Sequence, residues 1–444
     1  MKLWEKGQAT NQQIEKFTIG QDPILDLELA PFDIQGTLAH IIMLESIGLL
    51  SSAELAALKP ELVQLHALAL SGGLKIETGM EDIHSQIELL LTQKLGEVGK
   101  KIHSGRSRND QVLTAIKLFT RAEIQAIVLE TKQLFDLLLQ LSQTYQNHLI
   151  PGYTHLQVAM PSSIGLWLGA YAESLSDDLL VLQSVYRLVN QNPLGSAAGY
   201  GSSFPLNREM TTQLLGFETM NYNVIYAQMT RGKTEKNTAF ALTNLAATLS
   251  KLAYDAILYM NQNFGFIGFP DELTTGSSIM PHKKNPDVWE LIRAKCNQIQ
   301  ALPYELTLIS NNLPSGYHRD WQILKEHFFP AFNTLRQCLQ MTQLMLANLE
   351  VKSNILADEK YQYLFSVEVV NELVLKGLAF REAYQTVGKQ IAEGSFKPSP
   401  TLQHTHLGSI GNLAISEIET KMQTIYQSYQ FEKVEAAINQ LLGK

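Results

Sequence analysis

Residues 274–286 read T-T-G-S-S-I-M-P-H-K-K-N-P and bring adjacent hydroxyls, two lysines and a helix start into one short stretch. Gly276 with Ser277 and Ser278 lets the chain bend sharply and display hydroxyl groups. Met280-Pro281 biases the middle toward extended backbone. Asn285 reads as a helix N-cap, Pro286 as the first helical residue and Asp287 as its first-turn acid. Free N–H groups at such a start, beside Lys283 and Lys284, suit an anion. An ordinary basic loop ahead of a helix fits the same residues.

Three further polar clusters have chemistry-bearing side chains. Residues 103–110, H-S-G-R-S-R-N-D, offer Arg106, Arg108 and Asn109 as a dense fork of donors for a carboxylate. The alternative is that Asp110 caps the next helix while the arginines pair with surface acids. Residues 152–157, G-Y-T-H-L-Q, contain His155, a candidate acid–base group because free imidazole titrates near neutrality; a structural histidine near a helix start is the plain alternative. Residues 317–325, Y-H-R-D-W-Q-I-L-K, could fix a polar substrate or form a solvated loop.

Composition narrows the function classes. The net charge of −8 and pI near 5.8 provide no global positive field, which argues against a nucleic-acid binder. Only Cys296 and Cys338 occur, too few for a disulfide framework or a cysteine-rich zinc site. There is no apolar signal core at the N-terminus and no unbroken apolar run of about 18 residues, so a cytoplasmic protein without a membrane span is expected.

The elements that must position these clusters are helical. Residues 1–31 read as an arm or loop. A helix is expected from Phe32 to about Leu49. Ser51 with Glu54 forms a capping box for a second, ending at Ser71-Gly72-Gly73. Thr78 with Glu81 forms another box, for a helix to about Leu95. Residues 111–150 contain neither Gly nor Pro and keep helix-like apolar spacing. Residues 162–191, 233–264, 287–302 and 330–349 extend the series. Gly165 and Gly169 would let two helices approach closely. After Leu356 the helices shorten, with 368–375, 381–392 and 415–429 expected. No strand run long enough to found a sheet is present. The expected architecture is all-α: a long-helix bundle at 111–356 between an N-terminal helical domain at 1–110 and a C-terminal one at 357–444. Helices this long commonly pack against copies of themselves.

Together the clusters resemble the fumarase/aspartase superfamily and, within it, the argininosuccinate lyases. S-G-R-S-R-N-D-Q is the most discriminating match; E-D-I-H at 81–84, G-Y-T-H-L-Q, G-S-S-x-M-P-x-K-x-N-P and Y-x-x-D-x-Q-x-x-K also match, over about residues 20–395. The resemblance implies a homotetramer with sites shared between three subunits. It implies reversible cleavage of argininosuccinate to arginine and fumarate, by C–N elimination without a cofactor. It assigns Ser277 as base, His155 supported by Glu290 as the acid or its orienting group, and Lys283 to the developing negative charge. Chemistry alone would make His155 the base, and the sequence leaves both assignments open. The implied substrate contacts are Asp82, Arg106, Ser107, Arg108, Asn109, Thr154, Asn285, Tyr317, Gln322 and Lys325. A sister lyase acting on adenylosuccinate, or an inactive structural helical protein, are the competing expectations. Departures from the pattern fall at Gly20-Gln21-Asp22-Pro23, Met229-Thr230-Arg231-Gly232, His282, His318 and Ile323-Leu324, and bear on specificity more than on reaction type.

Overall fold

The computed structural model describes residues 11–77, 79–398 and 402–444. Asn11 caps α1 (Gln12–Ile19), and α2 (Asp22–Ser46) follows with Pro23 in its first turn. This corrects the expected arm for residues 11–31; residues 1–10 lie outside the described residues. The early start is driven by burial of Leu29, Ala30, Ile34 and Leu38, which outweighs the hydrogen bond lost at Pro31.

The Ser51–Glu54 capping box does open α3 (Ser52–Leu70). In contrast, α4 (Ile83–Leu95) starts later than expected, on Asp82, whose carboxylate accepts from Ser85 N at 2.7 Å. Asp82 is extended and free to cap, so the helix starts there. Thr78, the other half of the expected box, lies outside the described residues.

A short α5 (Glu97–Lys100) leads to α6 (Arg108–Thr144), whose 37 residues span about 55 Å. Its start is a capping box of Ser107 and Asp110. The expected helix through residue 150 ends early. A bulged antiparallel hairpin, β1 (Leu149–Thr154) and β2 (Gln157–Ser163), takes over before α7 (Ile164–Val189). Val, Tyr and Thr with Pro151 and Pro161 suit a short ribbon rather than helix. Two short helices without a counterpart in the sequence reading follow, α8 (Arg208–Leu214) and α9 (Val224–Met229), and then α10 (Lys233–Met260). Next come α11 (Asp287–Ile299), α12 (Leu302–Ser310) with Pro303 in its first turn, and α13 (Leu324–Ala347), which starts six residues before Pro330. The chain finishes with α14 (Ser366–Leu375), α15 (Phe380–Ala392), α16 (Ile415–Gln427) and α17 (Phe431–Leu442).

Side-chain contacts fix the helix directions. Arg121 in the first half of α6 reaches Asn190 just past the end of α7, so these two are antiparallel. Asp255 of α10 accepts from Trp167 and Tyr171 of α7, and Thr248 donates to Asp178. Thus α10 runs with α6. Phe119 packs on Phe329 and Phe332, and Tyr145 reaches Leu349, so α13 also runs with α6. Ser250 bonds Asn297, and Arg293 lies over Tyr254, so α11 runs the other way. One end of the bundle therefore gathers the starts of α6, α10 and α13. The opposite end gathers the hairpin and the chain between α10 and α11.

At the α6–α7 seam Gly165 permits direct backbone contact. A Cβ there would sit 2.4 Å from Ser142 O and 2.6 Å from Gln146 Cα. A main apolar core runs through the bundle and takes in residues 355–365 and 418–431; a second joins α2, α3, α4 and the end of α17. Among the described residues no helix is long and apolar enough to cross a membrane.

Candidate active site

The first helical turns of α2, α4, α6 and α13 converge on one cleft of about 670 Å³. Helix starts carry partial positive charge, so their convergence favours an anionic ligand. Six of the expected substrate contacts line this cleft: Asp82, Arg108, Asn109, Tyr317, Gln322 and Lys325. Capping explains why they meet, since Asp82 and Ser107 end extended segments at the starts of α4 and α6.

The cleft is a lattice of ion pairs. Arg108 lies 3.4 Å from Asp82 and donates to Ser85 Oγ at 3.0 Å. Burial alone would raise the Asp82 carboxyl, but His84, Arg108 and two bonds from Ser85 hold it below its usual range. Lys325 is buried and lies 2.6 Å from both Asp22 and Asp26. Burial pushes the Asp22 carboxyl up to about 6 against the pull of Lys325. Gln322 donates to the carbonyls of Thr18 and Ile19 at the end of α1. In the cleft floor, His84 Nδ1 lies 2.8 Å from Asp33, while its Nε2 finds no partner among the described residues.

Arg106 and Ser107 do not line the cleft. Arg106 is buried behind it and donates to Thr37 Oγ1 at 3.0 Å, so the alternative of arginines paired with surface acids fails for Arg106. Ser107 Oγ accepts from Asn109 N at 3.3 Å. Asp110 accepts from Ser107 N at 2.9 Å, and its other oxygen accepts from Gly195 and Ala197 N. Burial pushes its carboxyl up to about 6, with those backbone bonds opposing.

The remaining expected residues sit at the opposite end of the bundle. His155 is at the tip of the β1–β2 hairpin, where Thr154 pairs with Gln157. His155 and Leu156 have φ of 54° and 57°, as a two-residue hairpin turn with both central residues left-handed requires. Holding non-glycine residues there costs of order 1 kcal/mol or more each, strain of a kind that gathers at functional sites. Tyr153 packs edge-on against Phe264 and stacks on Phe266, which anchors the hairpin to the chain after α10. Ser277 Oγ accepts from Ile279 N at 3.3 Å and Met280 N at 3.1 Å. Lys284 pairs with Asp271, and Lys283 and Glu290 are exposed. Asn285 is not the expected N-cap. It pairs with Thr275 across the loop, its N–H donating to Thr275 O at 2.8 Å and its amide to Gly276 O at 3.1 Å. The helix begins at Asp287, since Asn285 is held in the bridge.

One subunit therefore brings six expected residues into the cleft. His155, Thr154, Ser277, Lys283, Asn285 and Glu290 lie at the far end of α6, about 55 Å of helix away. The cleft also contains residues absent from the expected set, among them Asp22, Asp26, His84 and Arg231. His84 lay within the quoted E-D-I-H motif and Asp22 within a noted departure. Arg231 is paired with Glu235 at 2.9 Å.

A family model described as Lyase matches residues 9–301. The argininosuccinate lyase of Bacteroides fragilis is 58% identical over 443 residues, covering 100% of this chain and 99% of that protein. The argininosuccinate lyase of Thermotoga neapolitana is 37% identical, covering 88% of this chain and 98% of its own. Among solved structures, an EDDS lyase variant with bound fumarate superposes with a TM-score of 0.78 at 21% identity, covering 98% of this chain and 95% of that one. A fumarate lyase:delta crystallin structure from Brucella melitensis, bound to cobalt, gives 0.72 at 17%, covering 95% and 94%. These two likenesses bear on the fold, which is that of the long-helix fumarate lyases. With relatives this similar along its whole length, the chain belongs to the argininosuccinate lyase family of the fumarase/aspartase superfamily.

Proposed function

We propose that this protein is an enzyme that cleaves argininosuccinate reversibly to arginine and fumarate, a step of arginine biosynthesis. The observation that carries this reading is 58% identity over the full chain to proteins named for that activity. The cleft supports it, since four helix starts and Arg108 suit carboxylates while its acids suit the cationic part of the substrate.

The chemistry requires removal of a proton from the carbon next to a succinyl carboxylate. The electron pair passes into that carboxylate, the C–N bond breaks, and the guanidine nitrogen leaves with a proton. Ser277 is the proposed base. A serine alkoxide forms only where donors hold it, and the N–H groups of Ile279 and Met280 already point at Oγ. Lys283 on the same loop is assigned to the doubly negative intermediate. His155, oriented by Glu290, is assigned to protonation of the leaving nitrogen or to placing the group that does so. Asp82, Arg108, Asn109, Thr154, Asn285, Tyr317, Gln322 and Lys325 are the proposed substrate contacts, while Arg106 and Ser107, behind the cleft wall, are assigned to positioning the start of α6.

The substrate is far shorter than α6, so the cleft and the Ser277 loop of one chain cannot serve the same molecule. A homotetramer with centres shared between subunits resolves this, and is proposed with a cytoplasmic location and a division near residues 110 and 356. The discriminating experiment follows fumarate release by purified protein from argininosuccinate and, in parallel, from adenylosuccinate. Release from argininosuccinate alone is expected; release from adenylosuccinate alone would transfer the reading to the sister lyase, and release from neither would remove it.

A further inference from the structure

The turn at His155-Leu156 has little of its own to hold it. Residues 154–158 and Met160 are exposed, Leu156 by 66%, and Ala159 is the one partly covered residue among them. Both turn residues are left-handed without being glycine, a conformation that persists where the surroundings over-determine it. The nearest large packed side chain is Tyr153, which pairs with Val158 one rung below the turn residues' flanking pair, Thr154 and Gln157. The fixing of the turn therefore passes through Tyr153.

Tyr153 is fastened by two segments. Its ring lies edge-on to Phe264 at 5.3 Å and stacked on Phe266 at 6.4 Å. Phe266 is fully buried and packs on Tyr259 of α10 at 5.4 Å. The second segment is the 3₁₀ turn Glu359–Phe365, which leads into α14 and contains Tyr361, 3% exposed. The Tyr361 ring meets Phe266 edge-on at 6.5 Å, and its hydroxyl shares a hydrogen bond with that of Tyr153. Burial first, and then this bond, hold the Tyr153 phenol above its usual range, so the hydroxyl stays protonated. Ring contacts are tolerant of sliding, whereas a hydrogen bond between two covered hydroxyls fixes one position.

We infer that Tyr153 and Tyr361 are a pair of positioning residues for His155: their joined hydroxyls fix the strained turn, so that the imidazole meets substrate held in the cleft of another chain at a set distance. This rests on the reading of the protein as an argininosuccinate lyase with His155 in proton transfer. Neither tyrosine lines the cleft, so the pair acts through the hairpin. Tyr361 lies beyond the last matching motif, and it gives the C-terminal segment a part in the reaction.

The test is steady-state fumarate release from argininosuccinate by wild type, Tyr153→Phe, Tyr361→Phe, the double Phe variant and Tyr153→Leu, with melting recorded for each. A Phe keeps the ring and removes one hydroxyl. Each single Phe variant should lower kcat about three- to tenfold, the worth of one hydrogen bond, and leave KM within about twofold, since the cleft supplies the binding. The double variant should lose no more than either single one, because one bond serves both residues. Tyr153→Leu, which removes the ring as well, should lower kcat about a hundredfold. Unchanged kcat in the single Phe variants would overturn the inference, as would additive losses in the double variant. A joint change of kcat, KM and melting in the Phe variants would also overturn it, since that marks general loosening. Absence of fumarate release from wild type would instead count against the activity itself.

Discussion

Gly165 is where α6 and α7 touch backbone to backbone, and Gly165→Ala should separate them. The added Cβ would lie 2.4 Å from Ser142 O, 2.6 Å from Gln146 Cα and 2.9 Å from Gln146 N. All three are main-chain atoms of the end of α6 and the turn after it, so no side chain can swing aside; contact distances near 3.4 Å or more require a shift of about 1 Å. Overpacking of this kind costs about 1–3 kcal/mol. The bond from Ser142 Oγ to Gly165 O, 2.7 Å long, would be lost at about 1 kcal/mol more. The total is about 2–4 kcal/mol, which for a chain this long lowers Tm by roughly 2–4 °C. Gly169→Ala is the internal control. Its Cβ would meet only the Ser142 side chain, at 3.0 and 3.9 Å, which can rotate. Calorimetry should therefore show a clear loss for Gly165→Ala and a smaller one for Gly169→Ala. Since α6 and α7 hold the two ends of the His155 hairpin, kcat should fall with the first variant. Equal Tm changes, or none, would refute the reasoning.

Three other outcomes are expected. Ser277→Ala should abolish fumarate release while leaving the assembly intact by size-exclusion chromatography, because among the described residues its hydroxyl bonds within its own loop alone. Arg108→Ala should raise KM strongly, with a smaller effect on melting, since Arg108 faces the cleft and its partners Asp82 and Ser85 already serve the cap of α4. For pH, Asp22 must be ionised to pair with Lys325 in the cleft, and burial pushes its carboxyl up to about 6. KM should therefore rise as pH falls through 6, and Asp22→Asn should flatten that limb.

The helical character and the motif order were legible because long apolar periodicity and N-capping residues are local signals. The Ser51–Glu54 box and the close approach at Gly165 were read from neighbouring residues alone. Failures occurred where tertiary burial overrode a local signal. The helices expected from Phe32 and from Pro330 start earlier, at Asp22 and Leu324, with Pro31 and Pro330 inside helices whose neighbours are buried. Residues 152–157 were placed between two long helices but not as a β-hairpin, because the turn, His155-Leu156, lacks the Gly or Asn that usually marks two left-handed residues. At the site, motif residues were found by type and spacing. The pairing of Lys325 with Asp22 and Asp26 was not, because the lysine stands some 300 positions from both aspartates and meets them only through folding.

The proposed catalytic centre takes its cleft from one chain and its Ser277 loop from another. The direct measurement combines inactive Arg108→Ala and Ser277→Ala subunits in equal amounts, verifies mixed assemblies by mass spectrometry, and follows fumarate release. If the two contributions come from different subunits, about one quarter of the centres in random mixtures receive both intact groups, so recovery near one quarter of wild-type activity is predicted. Verified mixed assemblies with no activity above the parents would contradict the claim.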